Sequence, residues 1–328
     1  MPKPEPGPLV VLLYSPRFVP PDALAYVSAQ VPEGFRWLAL EQSAPPARRA
    51  EVFAEADYMF GYLGDPSPAE LAAARRLKLF QLLSAGYDWL DLDAFRRHGI
   101  PLANNDGSNA VSTAEHAVLL MLALLRQLPR HHAATAAGEW LAMQHAMQLR
   151  ELRGKVVGLV GFGQIARQVA RRVHGFDALV RYAKPRPATP EEEQPSGARH
   201  RSLDELLAES DIVSLHAPLG PQTRGLIDAR ALARMRPGSW LVNTARGALV
   251  DEAALHDALA GGHLAGAGLD VFAHEPIDPD SPLLRLPNVV LTPHVAGSTR
   301  DTWDHRMVAA WANVRRVAAG QAPLSRIA

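Results

Sequence analysis

Four ionisable residues in the second half of the chain stand just beyond apolar runs: Arg246 after Leu241-Val-Asn-Thr-Ala, Asp270 after Gly266-Ala-Gly-Leu with Glu275 close behind, and His294 after Val289-Val-Leu-Thr-Pro. Such runs read as buried parallel strands, and the carboxyl ends of parallel strands converge on one crevice. A planar guanidinium fixes a carboxylate and polarises a neighbouring carbonyl. A histidine supplies a proton near neutral pH, and a carboxylate beside it favours the charged imidazolium. Arg246 is therefore the candidate substrate clamp, and His294 with Glu275 the candidate acid–base pair. Asp270 is the candidate holder of a nicotinamide carboxamide. The chemistry that suits the set is hydride transfer to a 2-oxo acid. Taken singly, Arg246 reads as a salt-bridge partner, Glu275 as a loop surface charge and His294 as a cap beside Pro293.

What reverses that reading lies upstream. Lys155 opens Val156-Val-Gly-Leu-Val160, an almost wholly apolar strand, followed by Gly161-Phe-Gly163-Gln164-Ile165-Ala166 and an amphipathic helix. This is G-x-G-x-x-A in strand–turn–helix context. Gly161 permits the tight turn, Gly163 lets backbone approach a pyrophosphate, and Ala166 lets helix lie close on strand. The helix N-terminus offers unpaired N–H groups and a favourable dipole. A nicotinamide dinucleotide is the expected ligand.

The next strand, Ala178-Leu-Val-Arg-Tyr182, should end in an acidic residue about 20 residues beyond the glycines if the adenosine ribose is bare. Ala183 stands there, followed by Lys184 and Arg186, which suits a 2′-phosphate better. NADP is the preferred cofactor on this reading, with NAD possible. Pro185–Ser196 is expected as a surface loop, and the strands that follow complete a six-stranded doubly wound unit.

From Leu9 to Pro101, apolar runs alternate with helical patterns: Leu9–Tyr14, Phe35–Leu40, Tyr58–Leu63 and Leu77–Leu83 as strands, with Pro21–Gln30, Arg48–Ala54 and Pro68–Ala74 as helices. This predicts a second small parallel sheet without a glycine fingerprint. Ser84-Ala85-Gly86 follows its last clear strand. Asn109–Arg126 is a helix apolar nearly all round, expected to be buried between two bodies at the domain crossing. His116 within it reads as a satisfied buried or boundary histidine, with a ligand role as the alternative, and His131, His132 and His145 lack metal-ligand spacing. The fold class is thus α/β with two doubly wound parallel-sheet domains. Residues 1–102 and 296–328 are expected to form a discontinuous, flavodoxin-like substrate domain, and 103–295 a Rossmann nucleotide-binding domain.

The 328 residues carry 34 basic and 34 acidic side chains and no cysteine. No global field draws the chain to nucleic acid or anionic lipid, and thiolate chemistry and cysteine metal sites are excluded. The proline-rich Met1–Pro8 lacks the apolar core of a signal peptide, and no stretch has the roughly 20 apolar residues of a membrane span. A cytoplasmic protein without a metal, nucleic-acid or membrane partner is expected.

Asn243-Thr-Ala-Arg246-Gly247, Leu269 to Pro276, Thr292-Pro-His294, Leu215-His-Ala-Pro-Leu219 and Asn109 to His116 occur in the order seen in D-isomer-specific 2-hydroxyacid dehydrogenases. The chain resembles that family over nearly its whole length, most of all its glyoxylate/hydroxypyruvate reductase type. The resemblance implies Arg246 as the substrate-activating arginine, His294 and Glu275 as the acid–base pair, and backbone N–H groups near Ser84, Ala85 and Gly86 for the substrate carboxylate. It places His216, Ala217, Pro218, Thr244 and Thr113 on the cofactor side. It also implies a C-terminal helix returning to the first domain and a homodimer built on the nucleotide-binding domain.

Three positions depart from the family pattern. Asp106 stands where proline is common, Thr113 where valine is common, and Ala183 where NAD-using members carry aspartate. Formate dehydrogenases of this resemblance pair their histidine with glutamine rather than Glu275, and the phosphite enzyme has lysine at Ala85. An NAD(H)-sensing binding or corepressor-type protein would not need Arg246, Glu275 and His294 together.

Overall fold

The computed structural model describes residues 7–62 and 65–328. The expected strand end Leu63 and most of the proline-rich N-terminal stretch, Met1–Pro6, lie outside them. The chain divides into two compact units, one of residues up to Asn109 together with Arg300–Ala328, the other Ala110–Thr299. These boundaries fall at Asn109/Ala110 and Thr299/Arg300 rather than at 102/103 and 295/296, because local hydrogen bonds hold the intervening residues. Asn104 binds Ala85 and Ser325 within the first unit, whereas the Ala296 N–H binds Asp270 within the second.

The first unit is a five-stranded sheet, ordered β2-β1-β3-β4-β5. Its strands are β1 (Leu9–Tyr14), β2 (Arg36–Glu41), β3 (Tyr58–Gly61), β4 (Leu79–Leu82) and β5 (Leu102–Ala103). All pairings are parallel, and the order is the flavodoxin-like one. β1, β3 and β4 are buried along their whole length, as strands covered on both faces must be. One cover is the C-terminal helix Arg300–Ala318, whose Trp311 packs on Phe60 and Phe35 with ring centroids 5.1 and 5.2 Å away.

The second unit holds seven strands ordered β12-β11-β10-β9-β6-β7-β8. These are β6 (Val156–Val160), β7 (Leu179–Ala183), β8 (Arg199–His200), β9 (Ile212–Leu215), β10 (Trp240–Asn243), β11 (Gly266–Leu269) and β12 (Val289–Leu291). β6 pairs with both β7 and β9, so the order reverses at its side. Ligands of open α/β sheets bind at such a switch point, beyond the carboxyl ends of the strands.

One expectation changes here. The sheet has seven strands, not six, because the segment read as a plain loop contains a short helix, Pro190–Glu193, and leads into the edge strand β8. The helix Ala110–Leu125 opens the second unit, where its apolar side chains share one core with β6, β7 and the fingerprint helix. No single helix among the described residues is long and apolar enough to cross a membrane.

Candidate active site

β6 delivers the chain into Gly161, which adopts φ +95°, and a Cβ there would lie 2.7 Å from the His216 carbonyl oxygen. Only glycine can make this turn against the end of β9. Gly163 then caps the helix Gln164–His174 without a side chain, and a Cβ on it would meet nothing within 4 Å. An uncapped helix terminus facing open space is what a pyrophosphate fits. Ala166 is fully buried against the strand, Ile165 packs on the same core, and Ala217 lies in the neighbouring one. Pro218 is exposed, and its carbonyl accepts from Thr223 Oγ1 at 2.7 Å. Burial pushes the His216 imidazole down to about 4, so it is neutral at physiological pH and adds no cation to the cradle.

Thr113, in the first turn of Ala110–Leu125, and Thr244, just past β10, are both buried, with hydroxyls that have no hydrogen-bond partner among the described residues. A buried orphan of this kind costs about 1–3 kcal/mol unless a ligand satisfies it. These two hydroxyls and the open cradle at Gly163 fit a dinucleotide.

Ala183 ends β7, and its carbonyl accepts the Gly161 N–H at 2.8 Å. Lys184 is half-buried and Arg186 exposed, and neither has an acidic partner among the described residues. The chain folds back at Ala188, whose N–H donates to Tyr182 Oη at 2.7 Å, while the Tyr182 ring stacks on Phe162 at 4.1 Å. Glu192 pairs with Arg167 and Glu193 accepts from Tyr182 Oη, so two of the nearby glutamates are engaged elsewhere.

At the other strand ends, backbone packing brings the ionisable groups together. A Cβ on Gly247 would fall 1.9 Å from the Phe272 carbonyl carbon, so the turns after β10 and β11 press backbone against backbone. Glu252 Oε1 accepts the Ala273 N–H at 2.7 Å and fastens the same segment. Asn243 shapes the turn that carries Arg246: its Oδ1 accepts from Ala245 N–H at 3.0 Å and its Nδ2 donates to the Arg246 carbonyl at 2.9 Å. Arg246 is half-buried, with Nη1 donating to the Ala245 carbonyl at 2.7 Å.

His294 Nδ1 lies 2.7 Å from Glu275 Oε2, and Glu275 Oε1 accepts the Phe272 N–H at 3.0 Å. With Nδ1 held by the carboxylate, Nε2 is the atom left to exchange a proton with a substrate. Burial pushes the Glu275 carboxyl up. The His294 hydrogen bond and charge, the Phe272 N–H and the Arg246 charge outweigh it and hold the carboxyl below its ordinary value.

Glu275 is the anion that faces His294 Nδ1. Glu275→Gln removes that anion. The expected result is an alkaline limb of 2-oxo acid reduction displaced to lower pH. An unchanged pH–rate profile would mean that Glu275 only props the loop.

His294 itself sits at φ +55°. For a residue with a β-carbon this conformation costs on the order of 1–3 kcal/mol and persists only where neighbours over-determine it. Its N–H donates to the Asp270 carbonyl at 2.7 Å.

Asp270, the candidate holder of a nicotinamide carboxamide, is fully buried, and its carboxylate accepts from the loop that carries His294. Oδ1 accepts from Thr292 Oγ1 at 2.6 Å and Val295 N–H at 2.9 Å, and Oδ2 from Ala296 N–H at 2.9 Å.

Ser84, Ala85 and Gly86 lie in the first unit, just past β4. Asn104 Nδ2 donates to the Ala85 carbonyl at 2.7 Å and Ser84 Oγ to the Gly86 carbonyl at 2.9 Å, which fixes the loop's carbonyls. The Ala85 and Gly86 N–H groups have no acceptor among the described residues.

The D-isomer specific 2-hydroxyacid dehydrogenase NAD binding domain matches residues 118–296. D-3-phosphoglycerate dehydrogenase of Mycobacterium tuberculosis is 44% identical over 251 residues, 76% of this chain and 47% of that protein. The chain thus spans about half the length of the first curated relatives it matches. Glyoxylate reductase of Korarchaeum cryptofilum is 37% identical over 84% of each chain. The solved apo D-mandelate dehydrogenase of Rhodotorula graminis superposes with a TM-score of 0.86 at 29% identity, covering 98% of each. The chain belongs to the D-isomer specific 2-hydroxyacid dehydrogenase family.

Proposed function

We propose that the protein is a nicotinamide-dependent reductase of small 2-oxo acids, running in reverse as a D-2-hydroxyacid dehydrogenase. The observation that carries this reading is the 2.7 Å contact between His294 Nδ1 and Glu275 Oε2 in the unit that also holds the Gly161–Ala166 cradle and Arg246. The bound nicotinamide supplies the hydride. Arg246 holds the substrate carboxylate and draws electron density from the carbonyl. His294 gives its Nε2 proton to the carbonyl oxygen, and Glu275 stabilises the imidazolium before transfer. In the first unit, the Ala85 and Gly86 N–H groups are a separate candidate anchor for a carboxylate. The deciding experiment is steady-state turnover on a panel of 2-oxo acids with NADPH and NADH. Turnover of formate alone, or cofactor binding without any turnover, would replace this reading.

The cofactor reading is NADP. Ala183 offers no carboxylate to a ribose and none to repel a 2′-phosphate, while Lys184 and Arg186 stand next to it. One charge-assisted contact at a partly exposed site is worth about 1–2 kcal/mol, roughly a tenfold preference for NADPH over NADH in catalytic efficiency. The gap should narrow as salt screens the loop. Ala183→Asp combined with Lys184→Gln and Arg186→Gln should invert it, and a parent that prefers NADH would return the cofactor to NAD.

The reading extends to a cytoplasmic homodimer without nucleic-acid or membrane partners. The balance of 34 basic and 34 acidic residues supports it, as do the exposed Trp140, Met143 and Met147, apolar side chains that a second copy would cover.

A further inference from the structure

We propose that His116 is a positioning residue for His294, acting through Thr292 and Asp270. The inference rests on the acid–base reading of His294. Each link is a short polar contact inside the second unit. His116 Nε2 lies 2.9 Å from Thr292 Oγ1 and 3.6 Å from Asp270 Oδ1. Thr292 has one hydroxyl proton, and it is donated to Asp270 Oδ1 at 2.6 Å. Thr292 must therefore accept from His116, which fixes the imidazole with its hydrogen on Nε2. Every donor in the chain then points toward one fully buried carboxylate.

That carboxylate grips the backbone just beyond the strained residue, through Val295 and Ala296 N–H, while the Asp270 carbonyl takes the N–H of His294 itself. The helix Ala110–Leu125 holds the loop at a second point, because Ser112 Oγ donates to the Ala296 carbonyl at 2.9 Å. Positions 112 and 116 are four apart and share one helical face. One rigid helix thus pins both ends of the Thr292–Ala296 segment. Left-handed backbone at His294 is retained because relaxing it would strip donors from Asp270.

Thr292→Val keeps the side chain's shape and removes the hydroxyl, leaving Asp270 Oδ1 one donor short and His116 without an acceptor. The expected result is about a 10-fold fall in kcat per folded enzyme, less than the ~100-fold of a 1 Å misplacement, with the KM for NADPH nearly unchanged. Thr292→Ser should restore kcat, and hydrogen exchange at Val295 and Ala296 should quicken in the valine variant only. An undiminished kcat in Thr292→Val, or a serine variant as slow as the valine, overturns the proposal. If Thr292→Val does not fold, His116→Phe retains the aromatic volume without the donor. It should lower kcat several-fold at constant cofactor KM, and parent-like kcat there overturns the proposal equally. His294→Ala in the same assay separates the two readings. Full activity in that variant removes the acid–base assignment, whereas the exchange rates still report whether the network holds the loop.

Discussion

His294→Ala is expected to lower turnover by roughly 10²–10⁴, the usual weight of a positioned acid–base group, while leaving NADPH affinity nearly intact. The reason lies in which atoms are committed. Nδ1 is engaged by Glu275 at 2.7 Å, so the group lost is an Nε2 proton donor. The proposed cofactor cradle is built from other residues, Gly161 to Ala166 with the hydroxyls of Thr113 and Thr244. Single-turnover rates and cofactor titration measure the two quantities separately. His294→Asn sharpens the test, because asparagine tolerates the left-handed backbone at this position and can donate a hydrogen bond, but it cannot deliver a proton. It should be as slow as the alanine variant. A fast asparagine variant would mean that polarisation of the carbonyl, rather than proton transfer, is what position 294 supplies.

The glycine fingerprint and the strand ends were legible because their signals are local. Gly161 is required by a turn within its own segment, and the apolar runs of β1, β3 and β6 record burial on both faces of a sheet. The helix expected at Arg48–Ala54 begins at Pro46 because proline suits the first helical turn, a cue that hydrophobic periodicity alone passes over. β8 gave no such signal. Arg199 and His200 are polar residues on an edge strand paired with β7, so burial leaves no imprint on them. The contacts of Asp270 were illegible for a different reason. Its donors, Thr292, Val295 and Ala296, come from beyond the next strand, and only the fold shows that the loop closes over the carboxylate. Asn243 could have been found, since its side chain binds the N–H of Ala245 two residues on, a pattern asparagine is known for in turns. Arg246 and Glu275 were readable as residue types. Their entry into one electrostatic field depends on Gly247 meeting Phe272 backbone to backbone, which spacing in the chain does not encode.

Arg246→Lys should lower kcat/KM by about 10²-fold, equivalent to about 2.7 kcal/mol of transition-state stabilisation, with losses in both turnover and apparent substrate affinity. The substitution keeps the charge and removes the fork. One guanidinium nitrogen, Nη1, already donates to the Ala245 carbonyl and ties the side chain to its own turn. The planar group carries further N–H donors in fixed directions, whereas an ammonium that keeps the Ala245 contact has no second nitrogen to offer a carboxylate in parallel. Because the positive charge remains, the field that helps hold the Glu275 carboxyl low is largely preserved, so the pH–rate profile should stay close to that of the parent. This separates the lysine variant from Glu275→Gln, in which the profile moves and the substrate KM does not. The measurement is kcat and KM for the best 2-oxo acid across pH, in parent and variant. Near-parent efficiency in Arg246→Lys would show that the substrate carboxylate is held elsewhere, with the Ala85 and Gly86 N–H groups of the first unit as the next site to test.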